Sequence, residues 1–424
     1  MPDLFDDLAF RGLIHQETNA SGLRQHAAEA PRGVYAGFDP TSNSLTIGNL
    51  VPLLLLRRFQ EAGHRPIVLV GGGTGMIGDP SGKEAERQLR TRDEIDRNIE
   101  GQRSIYERLL DFSGPAAARI ENNADWLEKL SFIEALRDVG KHFSVNMMIA
   151  KDSIRRRLEE REQGISFTEF SYMLLQAYDF QHLYDALGVT VQLAGSDQWG
   201  NIVAGVDLVR RTRQTELYGL TAPLITKADG GKFGKTESGA IWLTPEATSP
   251  YAFYQFWLNA QDADVEKYLK VFTLLPEAEI VSLLGEHERD PGARVAHRTL
   301  AAHVTDLVHG PDARLDAEAA ARALFSGDIA GLSKATLDEA FASAPSSEHS
   351  LTSLADGVPI VDLLVQTAVA KSKREAREFL SSGAVSVNGE RAQPDDRLTS
   401  DRLLHGELAV IRRGKKTWHV TRWR

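Results

Sequence analysis

The chain has no cysteine, no internal repeat and no low-complexity tract. Without cysteine it can form neither a disulfide nor a thiolate zinc site. No apolar run approaches the ~20 residues that a membrane-spanning helix needs. Residues 1–7 are acidic, whereas a secretory signal begins with basic residues. We therefore expect a cytoplasmic protein with no membrane contact, no resident zinc and no other protein-bound metal.

Net positive charge is also lacking, since the chain carries −10 at pH 7. This balance argues against indiscriminate nucleic-acid binding. The charge is uneven, however, because residues 358–424 contain 13 Lys and Arg against 8 Asp and Glu. That segment is therefore +5 and the remainder is −15. A basic tail on an acidic body can bind RNA locally while the body repels it elsewhere.

The length of 424 residues exceeds what one hydrophobic core supports, so two or three domains are expected. Apolar strands at 34–38, 66–70 and 189–194 alternate with helical segments, which predicts an α/β fold with a parallel sheet. Helical periodicity dominates from about 245 to 332. Residues 342–357 are rich in Ser, Ala and Pro and are predicted to be a linker. Alternation ending in Asn388-Gly389 predicts a hairpin.

A glycine motif at residues 73–78 matches the G-x-G-x-x-G turn of dinucleotide-binding proteins. Such a site also needs a second strand ending in an acidic residue about 20 residues later. Residues 84–100 are instead highly charged and helical in pattern, so we expect no NAD or flavin site. We interpret the glycines as positions where the backbone approaches a ligand, with Asp79 just after them.

Two segments have the character of phosphate-binding elements. Lys232-Phe233-Gly234-Lys235-Thr236 follows a glycine pair, and this layout predicts a mobile loop whose ammonium groups close on a polyphosphate. Alone, such a pentapeptide is more often a solvated turn. Thr46-Ile47-Gly48-Asn49 precedes a helix over 50–63, whose N-terminus can hold a phosphate. Gly48 would admit an adenine or ribose, but the tetrapeptide alone favours a simple capping role for Thr46.

A polar stripe runs along an otherwise apolar helix over 166–187. Tyr172, Gln176 and Asp179 are spaced four and three residues apart and so share one face. Buried polar groups need partners, which a small polar ligand such as an amino acid would supply. An exposed face is the alternative. Asp197 follows the strand at 189–194, where it either accepts ribose hydroxyls or caps the next helix.

These segments together resemble the bacterial tyrosyl-tRNA synthetases, a class I family. The motifs are Tyr35 with 37–41, then 78–81, 140–146, 195–201 and the lysine loop 232–236, in the family's order. The resemblance runs from about residue 5 to the C-terminus. Segments 372–377 and 383–389 are similar to the family's S4-like RNA-binding module.

The resemblance implies a ligase that activates L-tyrosine with ATP and transfers tyrosyl to the 3′ end of tRNA(Tyr). It implies Mg²⁺ accompanying ATP, no NAD, and a homodimer whose face includes Phe167 and residues 140–146. The implied domains are a Rossmann-like catalytic domain with a dimer-forming insertion at 1–228, a lysine loop and α-helical anticodon-binding domain at 229–335, a linker at 336–357 and an S4-like α+β domain at 358–424.

The resemblance also assigns roles to individual residues. The implied tyrosine-binding residues are Tyr35 and Asp179 for the phenolic hydroxyl, Asp79, Tyr172 and Gln176 for the α-ammonium, Gln198 for the carboxylate, and Gln192 in the pocket wall. The implied ATP and adenylate residues are Asp39, Gly48 and Asp197. The implied catalytic residues are Thr41, Thr46, Asn49, Lys83 and Arg87, with Lys232, Lys235 and Thr236 on the departing pyrophosphate.

One motif departs from the family pattern, because Thr46 and Asn49 replace both histidines of His-x-Gly-His. An amide can donate much as an imidazole does, but the threonine hydroxyl is shorter and uncharged. Losing a hydrogen bond to a charged group costs about 1.5–3 kcal/mol, or roughly 10–150-fold in rate. The first hypothesis is therefore an active but slowed synthetase.

Two alternatives remain. One is a regulatory paralogue that binds tyrosine and RNA without useful aminoacylation; intact Lys232 and Lys235 weigh against it. The other is a nucleotidyltransferase of related fold, which leaves the S4-like tail unexplained.

Overall fold

A computed structural model describes residues 3–79, 90–149, 154–155, 165–236, 239–342, 344–414 and 417–424. The chain forms two compact units. The larger comprises Met1–Ser249 with Trp257–His309, and the smaller comprises Pro250–Phe256 with Gly310–Arg424. Within the described ranges, no helix combines the length and apolarity needed to cross a bilayer.

The larger unit is built on a six-stranded sheet. Its strands are β1 (Gln16–Glu17), β2 (Gly33–Phe38), β3 (Arg65–Val70), β4 (Arg119–Asn122), β5 (Val189–Gly195) and β6 (Tyr218–Ala222). They lie in the order β1-β6-β5-β2-β3-β4. Every neighbouring pair is parallel except the short edge strand β1, which runs antiparallel to β6. The three strands predicted from the sequence and the parallel α/β fold are confirmed. A separate two-stranded ribbon joins β7 (Lys235–Thr236) and β8 (Gly239–Ala240).

Helices alternate with these strands and follow them along the chain. Before β5 they are α1 (Leu4–Phe10), α2 (Ala20–Glu29), α3 (Leu50–Glu61), α4 (Arg92–Leu109), α5 (Ala124–Leu127), α6 (Phe132–Glu134), α7 (Val145–Ile149) and α8 (Phe167–Leu187). After β5 they are α9 (Trp199–Arg213), α10 (Pro250–Leu258), α11 (Asp262–Phe272), α12 (Glu277–Arg289) and α13 (Val295–His309). The long helix predicted over 166–187 is α8: the Ser166 side chain accepts the Glu169 N–H at its start, and Gly188 ends it at φ +65°.

The helices α11 to α13 belong to the larger unit, so the predicted helical domain at 229–335 does not form one compact body. A buried arginine helps to fix them there. The Arg11 guanidinium at the end of α1 donates to the carbonyls of Lys270, Thr273 and Leu275. The Thr273 carbonyl also accepts from Arg58 Nη2 (2.7 Å), so two buried arginines bond to carbonyls at and just after the end of α11.

The smaller unit contains a second sheet, in the order β12-β11-β14-β15-β9. The remaining strands are β9 (Ser346–His349), β10 (Val358–Pro359), β11 (Val385–Val387), β12 (Glu390–Arg391), β13 (Arg397–Leu398), β14 (Leu408–Arg413) and β15 (Thr417–Trp423). The remaining helices are α14 (Pro311–Ser326), α15 (Lys334–Ala340), α16 (Ile360–Gln366) and α17 (Lys373–Ser381). The predicted hairpin joins β11 to β12, with Asn388 and Gly389 both at positive φ.

Residues 336–357, which we expected to be a linker, contain ordered structure. β9 lies within this segment and pairs in parallel with β15, and a 3₁₀ turn follows at Leu351–Leu354. The pairing depends on a strand about 70 residues later, so local composition gives no signal of it.

Candidate active site

Polar residues converge at the carboxyl edge of the large sheet. Asp39 follows β2, Asp79 follows the glycine segment after β3, Asn123 follows β4, and Asp197 follows β5. Since these four strands are parallel, their ends meet at one edge, which is where α/β sheets bind ligands. The sequence predicted three of these positions.

Two polar atoms on one face of the sheet, near this edge, are buried without partners among the described residues. We call them the floor of the site. They are the Tyr35 hydroxyl and the Gln192 amide oxygen. Tyr35 on β2 and Gln192 on β5 are register partners, so their side chains share one face of the sheet. Both residues are at most 2% exposed. An unmade buried hydrogen bond costs about 1–3 kcal/mol, so this floor favours a ligand with complementary polar groups.

A buried carboxyl lies close to this floor. Asp179 on α8 accepts hydrogen bonds from Asn123 Nδ2 (2.9 Å) and Trp126 Nε1 (2.8 Å). Burial raises its pKa to about 7, although the two hydrogen bonds act in the opposite direction and the charge of Asp39 adds slightly to the rise. Burial, followed by the charge of Asp179, raises the pKa of Tyr35 well above 10. The pocket therefore offers a hydroxyl donor beside a carboxyl acceptor, the pair that a phenol requires.

Sequence reasoning missed the residues that hold this carboxyl. Asn123 Nδ2 donates to Thr74 Oγ1 (3.0 Å) as well as to Asp179, and Thr74 Oγ1 donates to Asp39 Oδ1 (2.8 Å). A hydrogen-bonded chain thus links the ends of β2, β3 and β4. A Cβ at Gly71 would lie 2.2 Å from Asp39 Oδ1, so glycine is needed for this approach. The only sequence signal was an Asn122-Asn123 pair directly at the end of β4.

The predicted ammonium-binding set is spread over two hydrogen-bonded groups. The Tyr172 hydroxyl donates to Asp39 Oδ2 (2.9 Å), and burial raises its pKa well above 10, so it remains a donor. Gln198 Nε2 donates to Asp79 Oδ2 (2.6 Å) and to Asp197 Oδ2 (3.2 Å). Three carboxyl groups, those of Asp39, Asp79 and Asp197, therefore belong to these two groups, and their charge suits this part of the site to a cation such as an α-ammonium group.

The two residues that replace the signature histidines bond to each other. The Thr46 N–H and hydroxyl both donate to Asn49 Oδ1, at 3.0 and 2.9 Å. Thr46 therefore takes part in a local cap, as the alternative interpretation proposed. Space beside Gly48 stays open, since an added Cβ would meet only Thr46 Oγ1, at 3.8 Å. That opening lies at the start of α3, where a nucleotide would approach the backbone.

The lysine loop is anchored by its central phenylalanine. The Phe233 ring stacks on Phe272 (5.0 Å, 18°) and lies 5.2 Å from Tyr268 and 6.0 Å from Trp257. Lys232 and Lys235 on either side are exposed. The packing of Phe233 among three aromatic rings therefore fixes the position of the loop, while both of its ammonium groups are exposed to solvent.

The loop is also tied to the signature segment. The Ile47 N–H donates to the Ile241 carbonyl (3.0 Å), just after the loop. Gly234 has φ +74°, and a Cβ there would lie 2.4 Å from Ile47 Cγ2. Only glycine permits this contact, which brings the two predicted phosphate-binding elements together.

The other predicted residues lie as follows. Gln176 is half-buried on α8, Thr41 is exposed and its N–H donates to the Asp39 carbonyl, and Thr236 lies in β7. Lys83 and Arg87 fall outside the described residues. In the glycine motif, Leu127 lies 3.1 Å from a Cβ at Gly73, and Pro40 lies 3.1 Å from one at Gly75. These two glycines therefore also serve close packing of the chain on itself, and the approach of a ligand to the motif stays a prediction.

The fold and the candidate site together define a parallel-sheet α/β protein with buried polar groups near the carboxyl edge of its sheet. Residues 27–326 match the family model described as tRNA synthetases class I (W and Y), and residues 336–421 match the tyrosine--tRNA ligase SYY-like C-terminal domain. The chain belongs to the class I tRNA synthetases of this tryptophan and tyrosine family.

Curated relatives match along the full chain. The tyrosine--tRNA ligase of Geobacillus kaustophilus is 52% identical, with 99% of this chain and 100% of the relative covered. That of Geobacillus stearothermophilus is 51% identical over the same shares. Among solved structures, a C-terminally truncated mitochondrial tyrosyl-tRNA synthetase of Aspergillus nidulans superposes with a TM-score of 0.69 at 31% identity, covering 77% of this chain and 95% of that one. A tyrosyl-tRNA synthetase of Archaeoglobus fulgidus shares the fold, with a TM-score of 0.54 at 18% identity, covering 74% and 99%.

Proposed function

We propose that this chain is a tyrosine–tRNA ligase that forms tyrosyl-adenylate from L-tyrosine and ATP and then charges tRNA(Tyr). The observation that carries this proposal is the buried floor of the pocket. An unpartnered hydroxyl on Tyr35 and an ionisable carboxyl on Asp179 suit a ligand whose own hydroxyl both donates and accepts. Phenylalanine lacks that hydroxyl and would leave buried groups unpaired. Tyrosyl-tRNA synthetases are the established example of rejection by this means, with discrimination of about 10⁵ already known for that class of enzyme.

In the first step, a carboxylate oxygen of tyrosine attacks the α-phosphorus of ATP. An oxygen–phosphorus bond forms, the bond to the bridging oxygen of the β-phosphate breaks, and pyrophosphate leaves. The protein needs to position the two substrates and stabilise charge, and it need not form a covalent bond itself. Tyr35 and Asp179 orient the phenol, and Asp79 and Tyr172 hold the ammonium end at the pocket mouth.

Charge on the leaving pyrophosphate is the second requirement. The exposed ammonium groups of Lys232 and Lys235 are suited to it, because lysine acts as a compact point charge for phosphate. Mg²⁺ enters as part of the ATP substrate, held by phosphate oxygens and water more than by a protein cage. Asp39, Gly48 and Asp197 remain our assignments for the nucleotide.

In the second step, a hydroxyl of the terminal adenosine of tRNA attacks the tyrosyl carbonyl and AMP departs. Residues 336–421 match a domain described as the C-terminal domain of such ligases. The net +5 charge of residues 358–424 supports an RNA-binding role for it. We assign anticodon contact to the α-helical part of 229–335 and keep the cytoplasm as the site of action.

Tyrosine-dependent exchange between ATP and pyrophosphate tests this function directly. We expect the wild-type chain to support exchange, and Thr46→His to raise the exchange rate by about 10-fold or more. The imidazole reaches further than the threonine hydroxyl, and a hydrogen bond to a charged phosphate contributes about 1.5–3 kcal/mol. The rate is measured with saturating tyrosine at several ATP concentrations.

Thr352→His provides the matched control, because Thr352 is exposed and lies in the smaller unit, outside the signature. It should not accelerate exchange. Bound tyrosine without exchange in either the wild type or Thr46→His would overturn the ligase proposal and favour the regulatory paralogue.

We also propose that the chain forms a homodimer through the described residues between 132 and 149 together with Phe167. Seven of the thirteen large apolar side chains that are exposed among the described residues belong to this set. They are Phe132, Ile133, Leu136, Val145, Met147, Ile149 and Phe167. Apolar surface concentrated in this way is typical of a protein interface, and a second copy of the chain is the occupant that we propose.

Phe167→Asp tests the dimer. Phe167 is 70% exposed at the start of α8, so the substitution costs the isolated chain little. At an interface it would bury an unpaired charge, and we expect the dissociation constant of the dimer to rise at least 100-fold, from a penalty of about 3 kcal/mol. Sedimentation velocity over a dilution series measures this. Val281→Asp, at an exposed site on α12, is the control; a dimer that survives Phe167→Asp would contradict the assigned face.

A further inference from the structure

Three side chains with metal-ligand chemistry meet at one end of the helices α11 to α13. Asp262 opens α11, His287 lies near the end of α12, and His297 lies near the start of α13. Asp262 Oδ1 is 3.1 Å from His297 Nε2 and 3.9 Å from His287 Nε2. One ligand atom from each residue lies within 4.8 Å of the others. Nothing in the proposed ligase reaction uses this cluster.

We propose that Asp262, His287 and His297 bind a divalent transition-metal ion of the Zn²⁺ class. Imidazole nitrogen and carboxylate oxygen are ligands that Zn²⁺ accepts, and three protein ligands leave one tetrahedral position for water. The proposal departs from our expectation of no metal site. That expectation rested on the absence of cysteine, which removes thiolate ligands but not this donor set.

The cluster combines a fixed part with an accessible part. His297 is fully buried, whereas Asp262 is 58% exposed. A tetrahedral zinc site has ligand separations of about 3.3 Å, from metal–ligand bonds of about 2.0–2.2 Å. The separation of 3.1 Å between Asp262 Oδ1 and His297 Nε2 is close to this value, whereas that of 3.9 Å between Asp262 Oδ1 and His287 Nε2 is wider. Rotation of the exposed Asp262 side chain can shorten the longer distance. Its exposure also gives the ion an entry path from solvent.

Two interactions compete with a metal. His297 Nε2 lies 3.1 Å from the Ala260 carbonyl, and the Arg294 guanidinium lies 3.8 Å from Asp262 Oδ1. To bind metal through Nε2, His297 must carry its proton on Nδ1, which is buried and has no partner among the described residues. Metal-bound histidines usually donate that second N–H. We therefore expect weaker binding than in a four-ligand structural zinc site.

A metal ion bound at this cluster would stabilise α11, the helix against which the lysine loop packs. Asp262 begins α11, and the same helix carries Tyr268 and Phe272, whose rings contact Phe233. An ion shared by three helices would hold α11 against α12 and α13. Because it binds the folded state, it would also raise the thermal midpoint of unfolding.

Titration of the full-length, chelator-treated chain with ZnCl₂ tests the site, with Mg²⁺ in excess and no nucleotide present. We expect saturable binding of one ion per chain by calorimetry, and a visible absorption band of tetrahedral type with Co²⁺. His287→Gln and His297→Gln should each weaken binding at least about tenfold. The glutamine amide at 297 can still donate to the Ala260 carbonyl, so the helix contact is kept.

His303→Gln is the matched control, because His303 lies further along the same α13 outside the cluster. It should bind as the wild type does. The histidine variants change partly or fully buried positions and could fail to fold, so Asp262→Asn, at an exposed position, provides a second test. Zn²⁺ should raise the unfolding midpoint of the wild type but not of Asp262→Asn. Absence of one-to-one binding, or equal affinity in the wild type and both histidine variants, would overturn the proposal and leave a purely hydrogen-bonded cluster.

Discussion

Asp179→Asn is expected to lower kcat/KM for tyrosine in the activation reaction by about 10–150-fold. A hydrogen bond from the phenol to a carboxylate contributes about 1.5–3 kcal/mol. The asparagine amide would in addition face either Asn123 Nδ2 or Trp126 Nε1, both of which are donors directed at Asp179. A buried donor left without an acceptor costs a further ~1–3 kcal/mol, but in the free enzyme and the complex alike, so it lowers the stability of the fold and cancels from kcat/KM. The lost hydrogen bond of about 1.5–3 kcal/mol therefore gives the stated range.

The loss should fall on tyrosine and leave ATP binding nearly unchanged, which pyrophosphate exchange at varied tyrosine and ATP can separate. Asp185→Asn is the control. It lies on the same helix, but its carboxylate pairs with Arg213 at the surface, at 2.7 and 2.8 Å. A threefold or smaller change in Asp179→Asn would show that the phenol does not contact this carboxyl.

A pH profile distinguishes a binding role from a structural one. Burial raises the pKa of Asp179 to about 7, and its ionised form accepts a stronger hydrogen bond from the phenol than the neutral carboxyl does. We therefore expect kcat/KM for tyrosine to rise between pH 6 and 8 in the wild type, and Asp179→Asn to lose this dependence. Stability has the opposite sign: the folded pKa lies above the unfolded value of about 3.9, so the empty protein loses stability as pH rises from about 4 to 7.

The pocket shows which parts of a site a sequence can reveal. Asp179 was singled out because it is a polar residue inside an apolar helix, where burial demands a partner, whereas Tyr35 was assigned only by the resemblance to the synthetases. Asn123 and Trp126 were not predicted, because they bond to Asp179 more than 50 residues away and follow a short strand with little periodicity. Their contacts with Asp179 are tertiary, and the local sequence pattern carries no information about tertiary contacts.

Tertiary partners also account for the other features that the sequence did not reveal. β9 forms only because β15 provides a partner about 70 residues later. Leu127 and Pro40 pack against Gly73 and Gly75, a role of these two glycines that the local pattern does not reveal. The cluster of Asp262, His287 and His297 depends on three helices meeting, and its spacing in sequence resembles no short metal motif.

Phe233→Ala is expected to reduce the rate of adenylate formation by about 30–900-fold while tyrosine affinity changes little. The ring of Phe233 contacts Trp257, Tyr268 and Phe272, and removing a largely buried aromatic side chain of this kind costs about 2–4 kcal/mol. That energy holds the loop in place, so the lysines would lose their fixed base. Tyrosine affinity is spared because Tyr35 and Asp179 lie on β2 and α8, outside the loop. Single-turnover adenylate formation and equilibrium dialysis with tyrosine measure the two quantities.

Phe233→Leu separates the effect of the loop's apolar anchor on the rate of adenylate formation from the effect of its lysine charges. Leucine keeps an apolar side chain among the three rings, so the rate should stay within about tenfold of the wild type, as volume-conserving core substitutions usually cost less than about 1.5 kcal/mol. Both variants retain Lys232 and Lys235, which are exposed and would remain charged. If charge near the pyrophosphate were sufficient, Phe233→Ala would be nearly neutral. A large loss in alanine and a small one in leucine would mean that these lysines act only when the aromatic anchor fixes their position, with Gly234 held against Ile47 of the signature segment.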